Sequence, residues 1–338
     1  DVLIDNWTSQ DPGETFFAMG SAPRRGKIEF IEGQTYSLVI EYKWEGRFPA
    51  VQIGMQAPDQ FDLMEEATSL AKEADAVILI AGTNSDWETE GNDRSSLDLP
   101  SNQDELIEKV CNLNKNTVVV LNTGSPCEMP WVNQANSILQ CWFPGQEFGN
   151  SLSDVLFGEV NPCGKLPTTF PKKLSDTPAY STYPGKDLQM DYEEGLFIGY
   201  RWYDREEIDP LFAFGHGLSY TTFDYSNLRA VPPKGTSSVA AFEVEITNSG
   251  SIAGKEIVQG YIKVPDSQID RPVKELKKFE KILLKPGESK KILFELSERD
   301  LSFWSETNQS WQVEPAEYVF EVGASAIDIR DSASVWLG

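Results

Sequence analysis

Residues 86–94 read DWETEGNDR and bring three carboxylates, Asp86, Glu88 and Glu90, into five positions directly after the apolar run AVILIAG. Glycoside hydrolysis uses carboxyl groups of this kind: one protonates the leaving oxygen and a second works on the opposite side of the anomeric carbon, about 5–5.5 Å away in a retaining enzyme. In an extended loop Glu88 and Glu90 point to one side and Trp87 and Thr89 to the other, so both glutamates are candidates to face a pocket. Two carboxylates two residues apart do not easily make a complete pair. The second must come from elsewhere, and the rest of the chain presents no obvious one. The same run also reads as a plain solvated turn.

Other chemistries lack their residues. His216 is the only histidine, set in FGHGLSY, and no G-x-S-x-G elbow occurs, so it reads as a structural side chain packed in a tight turn. Neither a P-loop nor a G-x-G-x-x-G motif follows any apolar run, which removes the phosphate cradle of a nucleotide site. Cys111, Cys127, Cys141 and Cys163 show no C-x-x-C spacing and read as ordinary buried or partly buried thiols; no metal and no cofactor is expected.

The elements that must carry the acidic loop alternate. In DQFDLMEEATSLAKEAD the apolar Leu63, Met64, Ala67, Leu70, Ala71 and Ala74 fall at helical spacing, and AVILIAGT follows as a strand. SNQDELIEKVCNLN predicts a helix with Ser101 as N-cap and Asp104 at the capping-box position, before the strand TVVVLNTG. SILQCWFPG and the helix QEFGNSLSDVLFGEV complete the series. Helices alternating with continuous apolar strands predict a mainly parallel sheet covered on both faces. Ligands of such sheets sit beyond the carboxyl ends of the strands, where GTNSDWETEGNDR, NTGSP and FPGQEFG fall.

Upstream, residues 1–56 read as β structure in KIEFIEG, QTYSLVIEYKW and FPAVQIGM. Three short strands make a poor domain, and the chain opens without an initiator Met or a signal segment, as though cut from something longer. Residues 160–225 are rich in Pro, Gly and aromatics and read as an irregular connection. From 226 onward, alternating runs between turn signals predict a small antiparallel sandwich.

Against 29 basic residues the chain carries 53 acidic ones, a formal charge of -24 that repels nucleic acid and anionic membranes and suits a neutral partner. No apolar run approaches the roughly 20 residues needed to span a bilayer. Sequons at Asn6-Trp7-Thr8 and Asn308-Gln309-Ser310 are compatible with a secretory route and lean toward an extracellular location.

Four blocks occur together and in order: WETEGNDRSSLDLP, WFPGQEFGNSLSDVLFGEVNPCGKLPTTFP, YEEGLFIGYRWYD and FGHGLSYTTF. With them the chain resembles the C-terminal half of glycoside hydrolase family 3, the β-glucosidase family, in the branch that carries an inserted protective-antigen-type sugar-binding β-domain. The resemblance implies three parts: the C-terminal part of that β-domain over 1–56, an αβα sandwich over 57–225, and a fibronectin type III-like sandwich over 226–338. It implies a retaining exo-acting β-glucosidase whose (β/α)8 barrel lies upstream and supplies an aspartate nucleophile. The acid/base falls on the Glu before Gly in E-G-x-D-R, which is Glu90. Glu88 becomes its neighbour, Trp87 a candidate for stacking on the sugar, and Phe16 or Phe17 the inserted domain's aromatic over the aglycone site. Expected partners are a β-glucoside or cello-oligosaccharide and the barrel portion of the same enzyme, and a homo-oligomer is compatible with the reading. Two alternatives stand beside it: a non-catalytic carbohydrate-binding or surface-interaction protein, and a family relative acting on β-xylosides or other glycosides.

Overall fold

The computed structural model describes residues 2–7, 20–43, 51–56, 62–91 and 93–338. The chain divides into two compact units, Asp1–Ser125 with Met129–Phe143, and Pro126–Glu128 with Pro144–Gly338.

The first unit holds helix α1 (Leu63–Glu73), strand β1 (Val77–Gly82), helix α2 (Gln103–Leu113), strand β2 (Thr117–Asn122) and strand β3 (Ser137–Gln140). The strands form a parallel sheet in the order β1-β2-β3, pairing Val77 with Thr117 and Val118 with Ser137. Asp62 starts α1 by accepting the N–H groups of Met64 and Glu65 at 2.9 and 3.1 Å, two of the donors a helix start leaves unmet. At the other end the Asn114 side chain donates to the carbonyls of Ala71 and Ala74, which ties the end of α1 to the end of α2. Ile107, Val110 and Cys111 of α2 are buried together with Val119, Val120 and Leu121 of β2. Each such side chain contributes about 1.5–3 kcal/mol by leaving water.

Four expectations need correction. The N-cap of α2 is Asn102, not Ser101, which takes a left-handed φ of 60°. Asp104 forms no capping box because its carboxylate is already engaged, accepting the indole N–H of Trp131 at 2.7 Å and the amide of Leu99 at 3.3 Å. Cover on both faces holds for β2 but not for the edge strand β1, where Ile78 and Ile80 are 49% and 56% exposed. The segments KIEFIEG and QTYSLVIEYKW also differ from the reading: residues 20–43 and 51–56 carry no named strand, and their apolar side chains are mostly exposed. Alternation creates an apolar face, but a strand also needs a neighbour to pair with.

The second unit opens with helix α3 (Phe148–Leu156) and continues through irregular chain to helix α4 (Tyr200–Arg205). This stretch is pinned at several points: Phe170 donates its amide to Phe212, and Lys165 pairs with the buried Glu256 at 3.2 Å while donating to Gly217. Then come β4 (Phe223–Val231), β5 (Ser238–Asn248), β6 (Gly254–Lys263), β7 (Glu275–Leu284), β8 (Ser289–Ser297), the hairpin β9 (Phe303–Ser305) and β10 (Ser310–Gln312), β11 (Ala316–Gly323) and β12 (Ile329–Leu337). Apart from the two-stranded β9-β10 hairpin they make two antiparallel sheets, ordered β4-β5-β8 and β12-β11-β6-β7. Between the sheets Phe242 stacks on Phe320 with centroids 4.6 Å apart, and Gly260 leaves room for the Phe320 ring, which any Cβ there would strike.

Candidate active site

The acidic loop begins where β1 ends. The Asn84 carbonyl accepts the amides of Trp87 and Glu88 at 3.0 and 2.8 Å, and its side chain accepts those of Asp86 and Trp87. These bonds wind the chain into a helical turn rather than the extended loop expected from the sequence. The turn ends at Glu88, which is largely buried, whereas Glu90, two residues on, is exposed.

Glu88 turns inward and is 16% exposed at its side chain. Its Oε1 accepts the Thr83 hydroxyl at 2.6 Å and the Gly124 amide at 3.1 Å, and lies 3.8 Å from Arg94 Nη1. Arg94 in turn donates to Ser125 Oγ at 2.7 Å. The network joins the loop after β1 to the loop after β2. Gly124 must be glycine here, because a Cβ would strike Glu88 Oε2 and the Phe143 ring. Sequence reasoning named Glu88 but missed Thr83, Arg94, Gly124 and Ser125, which only the adjacency of β1 and β2 brings together.

The loop is fastened a second time by Gln103 at the start of α2. Its Oε1 accepts the Gly82 amide at 2.7 Å, and its Nε2 donates to the carbonyls of Gly82 and Pro100. Both ends of the segment are therefore held by one side chain. Burial raises the carboxyl of Asp104 above its ordinary value, against the opposing effect of the Trp131 and Leu99 hydrogen bonds.

Glu90 stays exposed at the tip of this fixed turn and makes no hydrogen bond or ion pair among the described residues. Gly91 follows with φ 78°, a left-handed conformation that suits glycine and reverses the chain. Trp87 is half-buried, and Phe16 and Phe17 lie outside the described residues. Around the same carboxyl edge, Trp87 Nε1, Arg94 Nε and Nη2, Asn122 Oδ1 and Gln140 Oε1 are all buried without a hydrogen-bond partner. Such atoms cost about 1–3 kcal/mol each if left unmet.

A parallel α/β module with an acidic turn at its carboxyl edge, followed in the chain by an antiparallel sandwich, is a multidomain α/β plus all-β architecture. Residues 27–220 match the glycosyl hydrolase family 3 C-terminal domain and residues 256–326 the fibronectin type III-like domain, and the chain belongs to glycosyl hydrolase family 3. It is 39% identical to a beta-glucosidase of Rhizobium radiobacter over all of its own length and 42% of that protein's. It is 47% identical to the thermostable beta-glucosidase B of Acetivibrio thermocellus over 81% of this chain and 36% of that one. The crystal structure of a beta-glucosidase from Kluyveromyces marxianus in complex with glucose is similar at 40% identity and a TM-score of 0.79, covering 84% of this chain and 34% of that one. The chain thus spans less than half the length of the curated relatives it matches.

Proposed function

We propose that this chain is the acid/base-bearing portion of a retaining exo-acting β-glucosidase that removes terminal non-reducing β-D-glucosyl residues. Its supporting organisation is the tail of a protective-antigen-type β-domain over 1–56, the αβα sandwich over 57–225 and the fibronectin type III-like domain over 226–338. One observation carries the reading: Glu88 is engaged inside the sheet edge, whereas the neighbouring Glu90 is held free on a doubly fastened turn. In the first step Glu90 donates its proton to the glycosidic oxygen while an aspartate of the upstream (β/α)8 barrel attacks the anomeric carbon. The aglycone leaves and a glucosyl ester forms. In the second step the Glu90 carboxylate takes a proton from water, whose oxygen attacks the same carbon, freeing glucose and the aspartate. Glu88 then acts by holding the turn, and Trp87, Phe16 and Phe17 are candidates for contact with the sugar or aglycone.

Glu90→Ala in the complete enzyme tests this. Cellobiose turnover is expected to fall by roughly 10²–10⁴-fold, the range of general acid–base catalysis, with a smaller loss for glucosides of good leaving groups. Unchanged cellobiose turnover rejects the assignment.

A further inference from the structure

Phe143 follows β3 at the carboxyl edge of the parallel sheet. The chain leading to it is tied to its neighbour: Cys141 donates its amide to the Leu121 carbonyl at 2.8 Å, and Gln140 Nε2 donates to the Thr123 carbonyl and hydroxyl at 3.1 and 3.0 Å. Between that tie and Phe143 stands Trp142 with φ 57°, a left-handed conformation that is an outlier for a bulky side chain. Such strain persists only where the surroundings enforce it, and it gathers at sites that hold ligands. Here it falls one residue before an aromatic ring that stays 53% exposed.

A single glycine joins this ring to the acidic turn. A Cβ at Gly124 would strike both Glu88 Oε2 and the Phe143 ring, so the carboxylate and the ring meet over Gly124. Glu90 is two residues from Glu88 and exposed. The loops after β1, β2 and β3 therefore bring a free carboxyl group and a half-exposed aromatic face to the same edge. A lone exposed ring is ordinary on a protein surface. One set against the network that holds the acidic turn, behind a strained residue, is not.

The chemistry of the pair selects a sugar. A pyranose carries hydroxyl groups on its rim and C–H bonds on its faces, so one side of it packs on an aromatic ring while its oxygens meet a carboxyl group. Direction follows from the acid/base reading of Glu90, on which this inference rests: the acid meets the glycosidic oxygen, and the leaving sugar lies beyond that oxygen. We propose that Phe143 is a specificity-determining residue whose exposed face packs against the leaving sugar of a glucosyl disaccharide.

The test uses the complete enzyme and isothermal titration with two probes, glucose and a cellobiose whose glycosidic oxygen is replaced by sulfur, which binds without being cleaved. Phe143→Ala and Phe143→Leu are each expected to weaken the thio-disaccharide about tenfold, whereas Phe143→Tyr holds it within about twofold. Glucose affinity should change by less than about twofold in all three, because the leaving sugar's place is not needed to hold a single glucose. The leucine still fills the space over Gly124 but has no aromatic face, which separates stacking from packing. Full thio-disaccharide affinity in Phe143→Leu, or equal losses for the two probes, overturns the proposal. So does an unchanged affinity with a lowered melting temperature, which would set the ring against polypeptide instead of sugar. Should Phe143→Ala fail to fold, the leucine and tyrosine variants decide it. Titration reads binding and Glu90→Ala turnover reads proton transfer, so this proposal and the catalytic one fail by different measurements.

Discussion

Glu88 Oε1 accepts the backbone N–H of Gly124 at 3.1 Å, so that a side chain from the loop after β1 is bonded to the main chain just beyond β2. The same oxygen takes the Thr83 hydroxyl, and Arg94 extends the link to Ser125. A parallel sheet has no tight turn to fix its neighbouring loops, since each strand is reached by a crossover. Here a carboxylate makes that connection.

Glu88→Ala should therefore leave the buried Thr83 hydroxyl unmet and release the exposed Gly124 amide to water, at about 1–3 kcal/mol. Glu88→Gln keeps an acceptor and should cost about 1 kcal/mol or less. Urea denaturation gives the stabilities, and hydrogen exchange at the Gly124 amide should lose its protection in the alanine variant alone. Retained protection there would show that the contact holds nothing.

Gln103 fastens the two ends of the acidic segment through Gly82 and Pro100. Gln103→Ala should open the segment without unfolding the sheet, at about 1–3 kcal/mol for the unmet Gly82 groups. Limited proteolysis should then cut between residues 84 and 100 faster than in the unaltered chain. An unchanged cleavage rate counts against this role.

In the sandwich the wholly buried Asn248 side chain accepts from the Thr221 hydroxyl at 2.7 Å and from the Gly250 amide at 3.1 Å, and donates to the carbonyls of Ile252 and Leu284. Its bonding capacity is filled, which is the condition under which a buried amide stabilises. Asn248→Leu keeps the size but strands several partners, and should lower stability by about 3 kcal/mol or more, read from a thermal melt. A loss below about 1 kcal/mol would mean that the strand ends re-pair without it.

Burial holds the His216 imidazole below its ordinary value, with Lys165 adding to the effect and Asp328 opposing it. The ring stacks on Phe212 at 5.3 Å. Above pH 6.5 the imidazole is neutral folded or unfolded and contributes no pH dependence. As pH falls through 6.5 the unfolded chain takes up the proton first, so stability is lost down to the folded value. His216→Gln should flatten the part of the melting-temperature profile just below pH 6.5. Parallel profiles for the two proteins would contradict this assignment.

Much of this architecture was legible in the chain itself. The helical spacing across Leu63, Met64, Ala67 and Leu70 lies on α1, and the run TVVVLN is β2. AFEVEITN falls in β5, and KILLKPGESKKILFELS covers the end of β7, a turn with Gly287 at φ 72°, and β8. Periodicity reports local structure because burial of one face repeats with the element. Placement of the acidic run at the carboxyl edge followed from the alternation of helices and strands alone.

The state of each carboxylate did not. By its residue types DWETEGNDR could be an extended strip with Glu88 and Glu90 side by side, and the capping signal at Ser101 and Asp104 was locally sound. Asn84 winding the turn, Gly124 receiving Glu88 and Trp131 taking Asp104 are contacts between segments far apart in sequence or decided by competition among nearby acceptors. Residue order determined that an acid would stand at this rim, because period and polarity are properties of a single segment. Tertiary structure decided which acid remains free, because a hydrogen bond is settled by whichever partner the fold brings within about 3 Å.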